Sequence, residues 1–272
     1  MKREVDPVWA EGLKFEVDAD GVAVITLSRP ERKNPLTFDI YADLTRLFRE
    51  LEHDDRVKTV VVRGEGGAFC SGGDVHEIIG PLFERDHRGL WEFTRMTCDL
   101  IENMRALSKP IISVIDGIAA GAGAVIALAS DIRIAGERGR FAFLFVKVGL
   151  CGADMGAAYL LPRVIGLGRA TEILMTGDVV RAEAALQWGL VNRIAEAGAE
   201  FDEAYALAQR LAKGPSFALA MTKRSLNEEL GMDLRAALEA EARTQAMCME
   251  TEDFREAYES FVEKREPRFK GR

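Results

Sequence analysis

The chain has 272 residues, of which 48% are hydrophobic and 29% charged, and its formal net charge is −8. A chain of this length can bury a large core as one domain, or as one domain with a smaller appendage. The acidic balance gives no broad electrostatic footprint for nucleic acid. The longest apolar run, residues 117–130, is shorter than the roughly 20 residues of a membrane-spanning helix, and Asp116 and Asp131 flank it.

The two ends of the chain and its cysteines indicate where the protein works. The N-terminal segment MKREVDPVWAEGLKFEV carries charges where a signal peptide needs an apolar core, which favours a cytoplasmic protein. The four cysteines show no paired spacing, so we expect no metal or redox site: Cys70, Cys98, Cys151 and Cys248. Two basic clusters, residues 29–33 and 264–272, are the candidates for phosphate binding.

The first half of the chain alternates between strand and helix patterns. LKFEVDADGVAVITLS alternates apolar and polar residues on both sides of Asp20-Gly21, which predicts a hairpin. LTFDIYADLTRLFRELEHD has helical spacing of its apolar residues, and the strand TVVVRG follows. A long helix over about residues 90–107, the strand PIISVIDG, a Gly/Ala helix, the strand DIRIAG and a short strand near residues 140–143 complete the series. This alternation predicts an α/β architecture.

The strand signal vanishes from about residue 152 onward. Helical patterns follow one another, and Gly177, Gly189 and Gly214 stand where glycines end helices. We therefore predict a mostly helical C-terminal part. Such a part cannot easily bury all its apolar faces alone, which suits oligomerisation.

Two glycine-rich segments each follow a predicted strand. GEGGAFCSGGDV (residues 64–75) follows TVVV, and DGIAAGAGAVIALASDIRIA follows PIISV. Because glycine is costly in backbone entropy, such clusters indicate a sharp bend or the close approach of a ligand. Close packing of helix on sheet also produces them. Asp74, at the end of the first segment, is typical of a helix N-terminal cap.

The two segments resemble the enoyl-CoA hydratase/isomerase family, or crotonase superfamily, and so does the later stretch LLPRVIGLGRATEILMTGDVVRAEAALQWGLVNRI. The resemblance runs from about Phe15 to the C-terminus. The resemblance implies a crotonase-type spiral of repeated β-β-α units over residues 1–200. It also implies a helical oligomerisation region over residues 201–272, assembling homotrimers or dimers of trimers. The implied substrate is an acyl-CoA thioester, with coenzyme A as part of the substrate and no separate cofactor.

The resemblance also implies an oxyanion hole. In the family, two backbone N–H groups bind the thioester oxygen and stabilise the enolate formed in turnover, and motif position assigns them to Cys70 and Ala122. Preorganised N–H groups aimed at developing negative charge are worth several kcal/mol. The Gly/Ala helix would add its positive end to the same site.

The sequence departs from the family at both catalytic glutamates, whose places are taken by Val125 and Phe145. An apolar pair cannot do general acid–base chemistry. The candidate replacement is Asp154, because a carboxylate between apolar residues and opposite an oxyanion hole would have a raised pKa. The alternative is that Asp154 caps the helix starting at Met155.

The remaining site residues follow from the resemblance. Arg32 and Lys33 precede NPL, which resembles the segment lining the pantetheine and phosphate channel; a solvated turn is the alternative. The other implied coenzyme A contacts in the first glycine segment are Ala68, Phe69, Gly72 and Gly73. In relatives a C-terminal basic-aromatic segment reaches the nucleotide, and the corresponding residues here are Lys264, Phe269 and Lys270. The alternative is that this tail is loose. The implied acyl pocket is lined by Val125, Leu144, Phe145 and His76.

Two classes of function stay open. The first is an acyl-CoA-processing enzyme, most often an enoyl-CoA hydratase in this family, with isomerisation, thioester or ring hydrolysis and decarboxylation as rivals. KVG with the Gly/Asp loop and GAAYL is similar to naphthoate synthases and ring-opening ketoacyl-CoA hydrolases. The Asp-to-Tyr spacing is similar to 4-chlorobenzoyl-CoA dehalogenases. The second class is a catalytically silent acyl-CoA-binding subunit, favoured by the loss of both glutamates.

Overall fold

A computed structural model describes residues 9–272, and within this range the strands predicted from the sequence all form. The first eight residues, part of the segment behind the cytoplasmic prediction, lie outside it. The strands are β1 (Leu13–Val17), β2 (Val22–Leu27), β3 (Thr59–Gly64), β4 (Ile111–Ile115), β5 (Ile118–Ala120), β6 (Ile132–Gly136), β7 (Arg140–Ala142), β8 (Val179–Arg181) and β9 (Arg193–Ala195).

The helices confirm the helical patterns of the sequence. They are α1 (Phe38–Glu50), α2 (Gly80–Leu82), α3 (His87–Ala106), α4 (Ala122–Ala129), α5 (Ala157–Ile165), α6 (Leu167–Thr176), α7 (Ala182–Gln187), α8 (Glu200–Ala212), α9 (Ser216–Glu228), α10 (Leu234–Met249) and α11 (Glu252–Glu263). A π-helical turn, Val75–Ile79, precedes α2, and a 3-10 turn, Leu144–Val148, follows β7.

Two sheets carry the strands. The larger has the order β1-β2-β3-β4-β6-β9, antiparallel between β1 and β2 and parallel elsewhere, and the smaller has the order β5-β7-β8. The chain passes from β4 to β5 and then α4, and from β6 to β7 and then α5, so each turn visits the large sheet, the small sheet and a helix. This alternation is the predicted spiral of β-β-α units, which is confirmed.

The expectation that strands end near residue 152 is wrong. β8 pairs antiparallel with β7, and β9 pairs parallel with β6, each at the edge of its sheet. Each has three residues, which is too short for a period-2 alternation to be recognised. Their existence depends on the edges that β7 and β6 offer.

The large sheet is buried on both faces. Val60 and Val62 of β3 face a core shared with α1, α3 and α4, whereas Val61 between them faces the core shared with α8. Alternate residues of a strand point to opposite faces, which explains this division. The helical region predicted from residue 201 therefore starts with α8, a helix packed on the sheet.

The last two helices, α10 and α11, form what we call the C-terminal arm. α10 buries none of its residues within the chain, and α10 packs on α9 and α11. Large apolar side chains remain exposed along the arm, among them Leu234 (75% exposed) and Phe261 (83%). Among the described residues, no helix combines the length and the apolar character needed to cross a bilayer.

Candidate active site

The two glycine-rich segments lie side by side, and their pairing decides which N–H groups are free. Cys70 pairs with Ala119 as an isolated parallel bridge. The Cys70 N–H donates to the Ile118 carbonyl at 3.0 Å, and the Ala120 N–H donates to the Cys70 carbonyl at 2.8 Å. Because the fold itself uses the Cys70 N–H, the prediction that this group binds a substrate oxygen is wrong.

Gly73 offers the free N–H instead. Gly73 bridges to Leu36, but the bonds are made by its neighbours: the Leu36 N–H donates to the Gly72 carbonyl at 2.8 Å, and the Asp74 N–H donates to the Leu36 carbonyl at 2.8 Å. In a parallel bridge of this kind the central residue keeps its own N–H on the other side. Within residues 9–272 the Gly73 N–H has no protein acceptor.

Ala122 supplies a second unpartnered donor next to Gly73. It is the first residue of α4, where backbone N–H groups have no acceptor inside the helix. Gly72, the neighbour of Gly73, lies against the start of α4: a Cβ added to Gly121 would lie 3.9 Å from the Gly72 Cα. A Cβ added to Gly72 would lie 3.7 Å from the Ala122 nitrogen. The two free N–H groups are thus neighbours.

Close approach of the segments accounts for their glycines. A Cβ on Gly123 would lie 2.5 Å from the Cys70 carbonyl oxygen and 2.6 Å from the Cys70 Cβ. Gly72 and Gly121 have φ of +96° and +51°, where side chains are strained. The Cys70 thiol is buried beneath this junction, and burial raises its pKa to about 12, so it stays protonated.

Asp154 is a half-buried carboxylate in the loop that precedes α5. Its Oδ1 accepts the Met155 N–H at 2.9 Å, and its other oxygen has no partner in the described part of the chain. Burial raises the pKa of Asp154, and the Met155 hydrogen bond offsets this only in part. The residue preceding α5 is Gly156, without a side-chain cap, so the alternative that Asp154 caps this helix is wrong.

A cluster of two arginines and two carboxylates holds residues 29–32 to the end of the first glycine segment and the π-helical turn. The Asp74 side chain is fully buried and accepts the His76 and Glu77 N–H groups at 2.9 and 3.1 Å, which confirms its capping role. Arg32 Nη1 lies 2.8 Å from Asp74 Oδ2, and Arg29 Nη2 lies 2.6 Å from Glu77 Oε1. Burial opposes the charge of Asp74, but these hydrogen bonds and arginines prevail and lower its pKa.

Of the two predicted coenzyme A phosphate ligands, Arg32 belongs to this cluster and Lys33 does not. Arg32 is already paired with Asp74 and Glu77, so it is not a free cation for a ligand. Lys33 is exposed at φ 65°, and within the described residues it forms no ion pair. Lys33 therefore stays the predicted coenzyme A contact.

The structure gives Ala68 and Phe69 packing roles. Both are buried; the Ala68 carbonyl accepts the Asn34 amide at 2.8 Å, and the Phe69 N–H donates to Ile118 at 3.0 Å. Phe69 therefore has no exposed surface and no free N–H for coenzyme A, whereas the contact of Ala68, which is 5% exposed, stays a prediction.

The four predicted acyl-pocket residues differ in burial, and their role stays a prediction. Val125 has no exposed surface and Phe145 is 6% exposed, because both belong to the main core. Leu144 is half-buried and His76 is exposed on the π-helical turn. A cavity of about 410 Å³ adjoins the Asp154 loop. It is lined by residues of α3, of α5 and the loop before it, and of α9 and the turn after it, including Cys98, Ile101, Met155, Leu160 and Leu230.

The tail lies along α11 rather than loose. The Lys270 and Gly271 N–H groups donate to Asp253 at 2.6 and 2.8 Å, and Lys270 Nζ reaches Glu252. Lys264 is exposed and Phe269 half-buried. These contacts do not bring the three predicted tail residues to Lys33, so their role in coenzyme A binding stays a prediction.

Residues 18–272 match the family described as Enoyl-CoA hydratase/isomerase. The chain belongs to this family. A crystal structure of a “putative enoyl-CoA hydratase” from Streptomyces coelicolor has a sequence 50% identical to this chain and a TM-score of 0.96. The match covers 100% of this chain and 98% of the Streptomyces chain. The 1,2-epoxyphenylacetyl-CoA isomerase of Escherichia coli is 34% identical, over 93% of this chain and 96% of its own. The enoyl-CoA hydratase ACTT3 of Alternaria alternata is 36% identical, over 93% of this chain and 84% of its own.

Proposed function

We propose that this chain is an acyl-CoA-processing enzyme, with enoyl-CoA hydration as the favoured reaction. The observation that carries the proposal is the pair of neighbouring, unpartnered N–H groups of Gly73 and Ala122. Asp154, a half-buried carboxylate whose pKa burial raises, is the proposed acid–base group. A thioester oxygen is a fitting acceptor for two such donors, since it gains negative charge when an enolate forms.

In this proposal each group has one task. The thioester oxygen accepts hydrogen bonds from the Gly73 and Ala122 N–H groups. The free oxygen of Asp154 takes or returns a proton at the acyl group, and its raised pKa brings it closer to the working pH than an ordinary aspartate. Negative charge then rests on the thioester oxygen, where the two N–H groups stabilise it. Lys33 binds coenzyme A, which is part of the substrate.

The choice among reactions rests on relatives. The Alternaria alternata relative is named an enoyl-CoA hydratase, which favours hydration. The Escherichia coli relative is named a 1,2-epoxyphenylacetyl-CoA isomerase, which makes isomerisation the second candidate. The Gly73 and Ala122 pair would serve hydration, and it would serve any isomerisation that passes through an enolate. A silent acyl-CoA-binding subunit is the alternative from another class, because the family glutamates are replaced by Val125 and Phe145.

We further propose that the C-terminal arm assembles copies of this chain into trimers or pairs of trimers in the cytoplasm. The support is the apolar surface that the arm leaves exposed within one chain, including Leu234, Phe254 and Phe261. Burying such surface against a second copy would remove the largest apolar exposure of α10 and α11.

The test has two arms. The protein is incubated with crotonyl-CoA in water, and a gain of one water with the thioester intact identifies a hydratase. Butyryl-CoA in heavy water reports enolisation by deuterium gained at the α-carbon, whatever the final reaction. We expect Asp154→Asn to abolish both signals and keep ligand binding, whereas Asp178→Asn on the surface changes neither. Binding without either signal, in the unmodified protein, would instead support the silent subunit.

A further inference from the structure

Asn34 is a buried residue with a left-handed backbone conformation, shortly before α1. It is 1% exposed and has φ of +56°, directly after Lys33 at +65°. Asparagine tolerates positive φ better than most residues with a side chain. The Asn34 N–H donates to the Arg29 carbonyl at 2.9 Å, and Asn34 Oδ1 accepts the Arg29 N–H at 2.8 Å. Asn34 thus closes the turn that carries Lys33 through both its backbone and its side chain.

The Asn34 side chain also reaches the first glycine segment. Its Nδ2 donates to the Glu65 carbonyl and to the Ala68 carbonyl, both at 2.8 Å. Together with the bond from Arg29, the amide makes three hydrogen bonds, each to a backbone group. A side-chain amide has two N–H donors, and both are used here. This amide therefore holds two parts of the backbone together and has no donor left for a ligand.

The glycines at the start of the first segment make room for the Asn34 amide. A Cβ on Gly64 would lie 2.8 Å from Asn34 Nδ2 and 2.0 Å from the Ala68 carbonyl oxygen. Gly66 has φ of +75°, and a Cβ there would lie 2.4 Å from the Pro30 Cβ, in the turn that Asn34 closes. These glycines contribute no donor to the proposed oxyanion hole. They permit a loop shaped around the amide.

The chain next to Asn34 supports the remainder of the first glycine segment. One residue before Asn34, the Lys33 carbonyl accepts the Ser71 N–H at 2.9 Å. Two residues after Asn34, Leu36 bonds to both neighbours of Gly73, which leaves the Gly73 N–H free. The Asn34 amide thus fixes one end of a pair of aligned backbone segments, and the Gly73 N–H lies at the other end.

We propose that Asn34 is a positioning residue, whose amide holds the first glycine segment so that the Gly73 N–H is aimed at the thioester oxygen. This inference rests on the proposed function. Donors of an oxyanion hole are effective because they are preorganised, and a displacement of about 1 Å can cost on the order of 100-fold in rate. Without the amide, the Glu65 and Ala68 carbonyls lose this partner, and the loop that leads to Gly73 can relax.

The experiment uses two variants of Asn34 and one matched control. Asn34→Gly keeps the left-handed backbone and removes the amide. Asn34→Asp keeps the size of the side chain and the acceptor for the Arg29 N–H, but an oxygen replaces the donor nitrogen. Asn103→Ala is the control, because the Asn103 amide also joins two elements through a backbone carbonyl: it lies on α3, outside both glycine segments, and donates to Thr45 of α1 at 2.9 Å.

Three quantities are measured on each protein. Urea titration gives the stability. Deuterium gained at the α-carbon of saturating butyryl-CoA gives the rate of enolisation. The infrared stretch of the ¹³C-labelled thioester carbonyl of fully bound butyryl-CoA gives the hydrogen bonding to its oxygen. The last two report the geometry of the donors in the folded, ligand-bound protein, so a loss of stability alone does not change them.

We expect all three variants to unfold at lower urea concentrations than the unmodified protein. In the Asn34 variants, exchange should slow by about 10- to 100-fold and the carbonyl shift should shrink, whereas Asn103→Ala should keep both signals. If Asn34→Gly does not fold, Asn34→Asp decides the comparison.

Two results would overturn the role of Asn34 while the acyl-CoA site stands. The first is a folded Asn34 variant that keeps the exchange rate and the carbonyl shift. The second is an equal loss of both signals in Asn103→Ala, which would make the effect a general consequence of lower stability. If the unmodified protein itself shows neither exchange nor a carbonyl shift, the proposed function fails and this inference fails with it.

Discussion

Replacing Ala122 by proline removes one donor of the proposed oxyanion hole and puts the ring Cδ in place of its hydrogen. Ala122 is the first residue of α4, a position where proline is well tolerated because its N–H has no partner inside the helix. The Ala122 N–H makes no hydrogen bond in the described part of the chain, so the fold loses none. The free energy of unfolding should therefore change by less than about 1 kcal/mol.

The chemical effect should be far larger than the effect on stability. Losing one donor of an oxyanion hole costs about 10²–10³ in rate, or roughly 3–4 kcal/mol of transition-state stabilisation. The Gly73 N–H remains, so some activity persists. The assay is deuterium exchange at the α-carbon of butyryl-CoA, followed by mass. Ala122→Gly is the control, because it keeps the N–H and should exchange within a few-fold of the unmodified protein. A folded Ala122→Pro that exchanges at the normal rate would refute the assignment of this donor.

Three further predictions concern charge and assembly. Asp154→Asn should slow α-carbon exchange by about 10²–10⁴. In the unmodified protein the ionised base is lost as pH falls through the pKa of Asp154, which is raised above 3.8, so the exchange rate should fall at a higher pH than for an ordinary aspartate. An exchange rate that is constant down to pH 3.8 would contradict this. Asp74→Asn should lower the free energy of unfolding by about 1–3 kcal/mol at neutral pH. Because the pKa of Asp74 in the folded protein is lowered from 3.8, the difference in stability between the two proteins is fully present above pH 3.8 and disappears as pH falls through the lowered pKa. Urea titrations at a series of pH values measure this difference. Phe261→Glu should reduce the native mass, measured by light scattering, toward the 30.0 kDa of one chain, whereas Glu259→Gln on the same helix should not; an unmodified protein that already runs as one chain contradicts the proposed assembly.

Long regular patterns in the sequence predicted the fold well. The hairpin of β1 and β2 and the helix α1 each have enough residues for their periodicity to be recognised, and both form as expected. The three-residue strands β8 and β9 have no such pattern, and their pairing with β7 and β6 depends on residues far away in sequence. Local pattern is therefore informative in proportion to the length of the element.

The candidate site was predicted in part. The glycine segments indicated where the proposed oxyanion hole lies. Only the bridges to Leu36 and Ala119 show that the free N–H belongs to Gly73 and not to Cys70. Asp154 stood out because the usual glutamate places are apolar.

The polarisation of the bound thioester tests the central claim most directly. Isotope-edited difference infrared spectroscopy with butyryl-CoA, labelled with ¹³C at its thioester carbonyl, reports hydrogen bonding to that oxygen without requiring turnover. Two donors from Gly73 and Ala122 predict a shift of the carbonyl stretch to lower frequency on binding, and a smaller shift in Ala122→Pro. A carbonyl stretch that stays at its solution frequency when butyryl-CoA is fully bound would contradict the account.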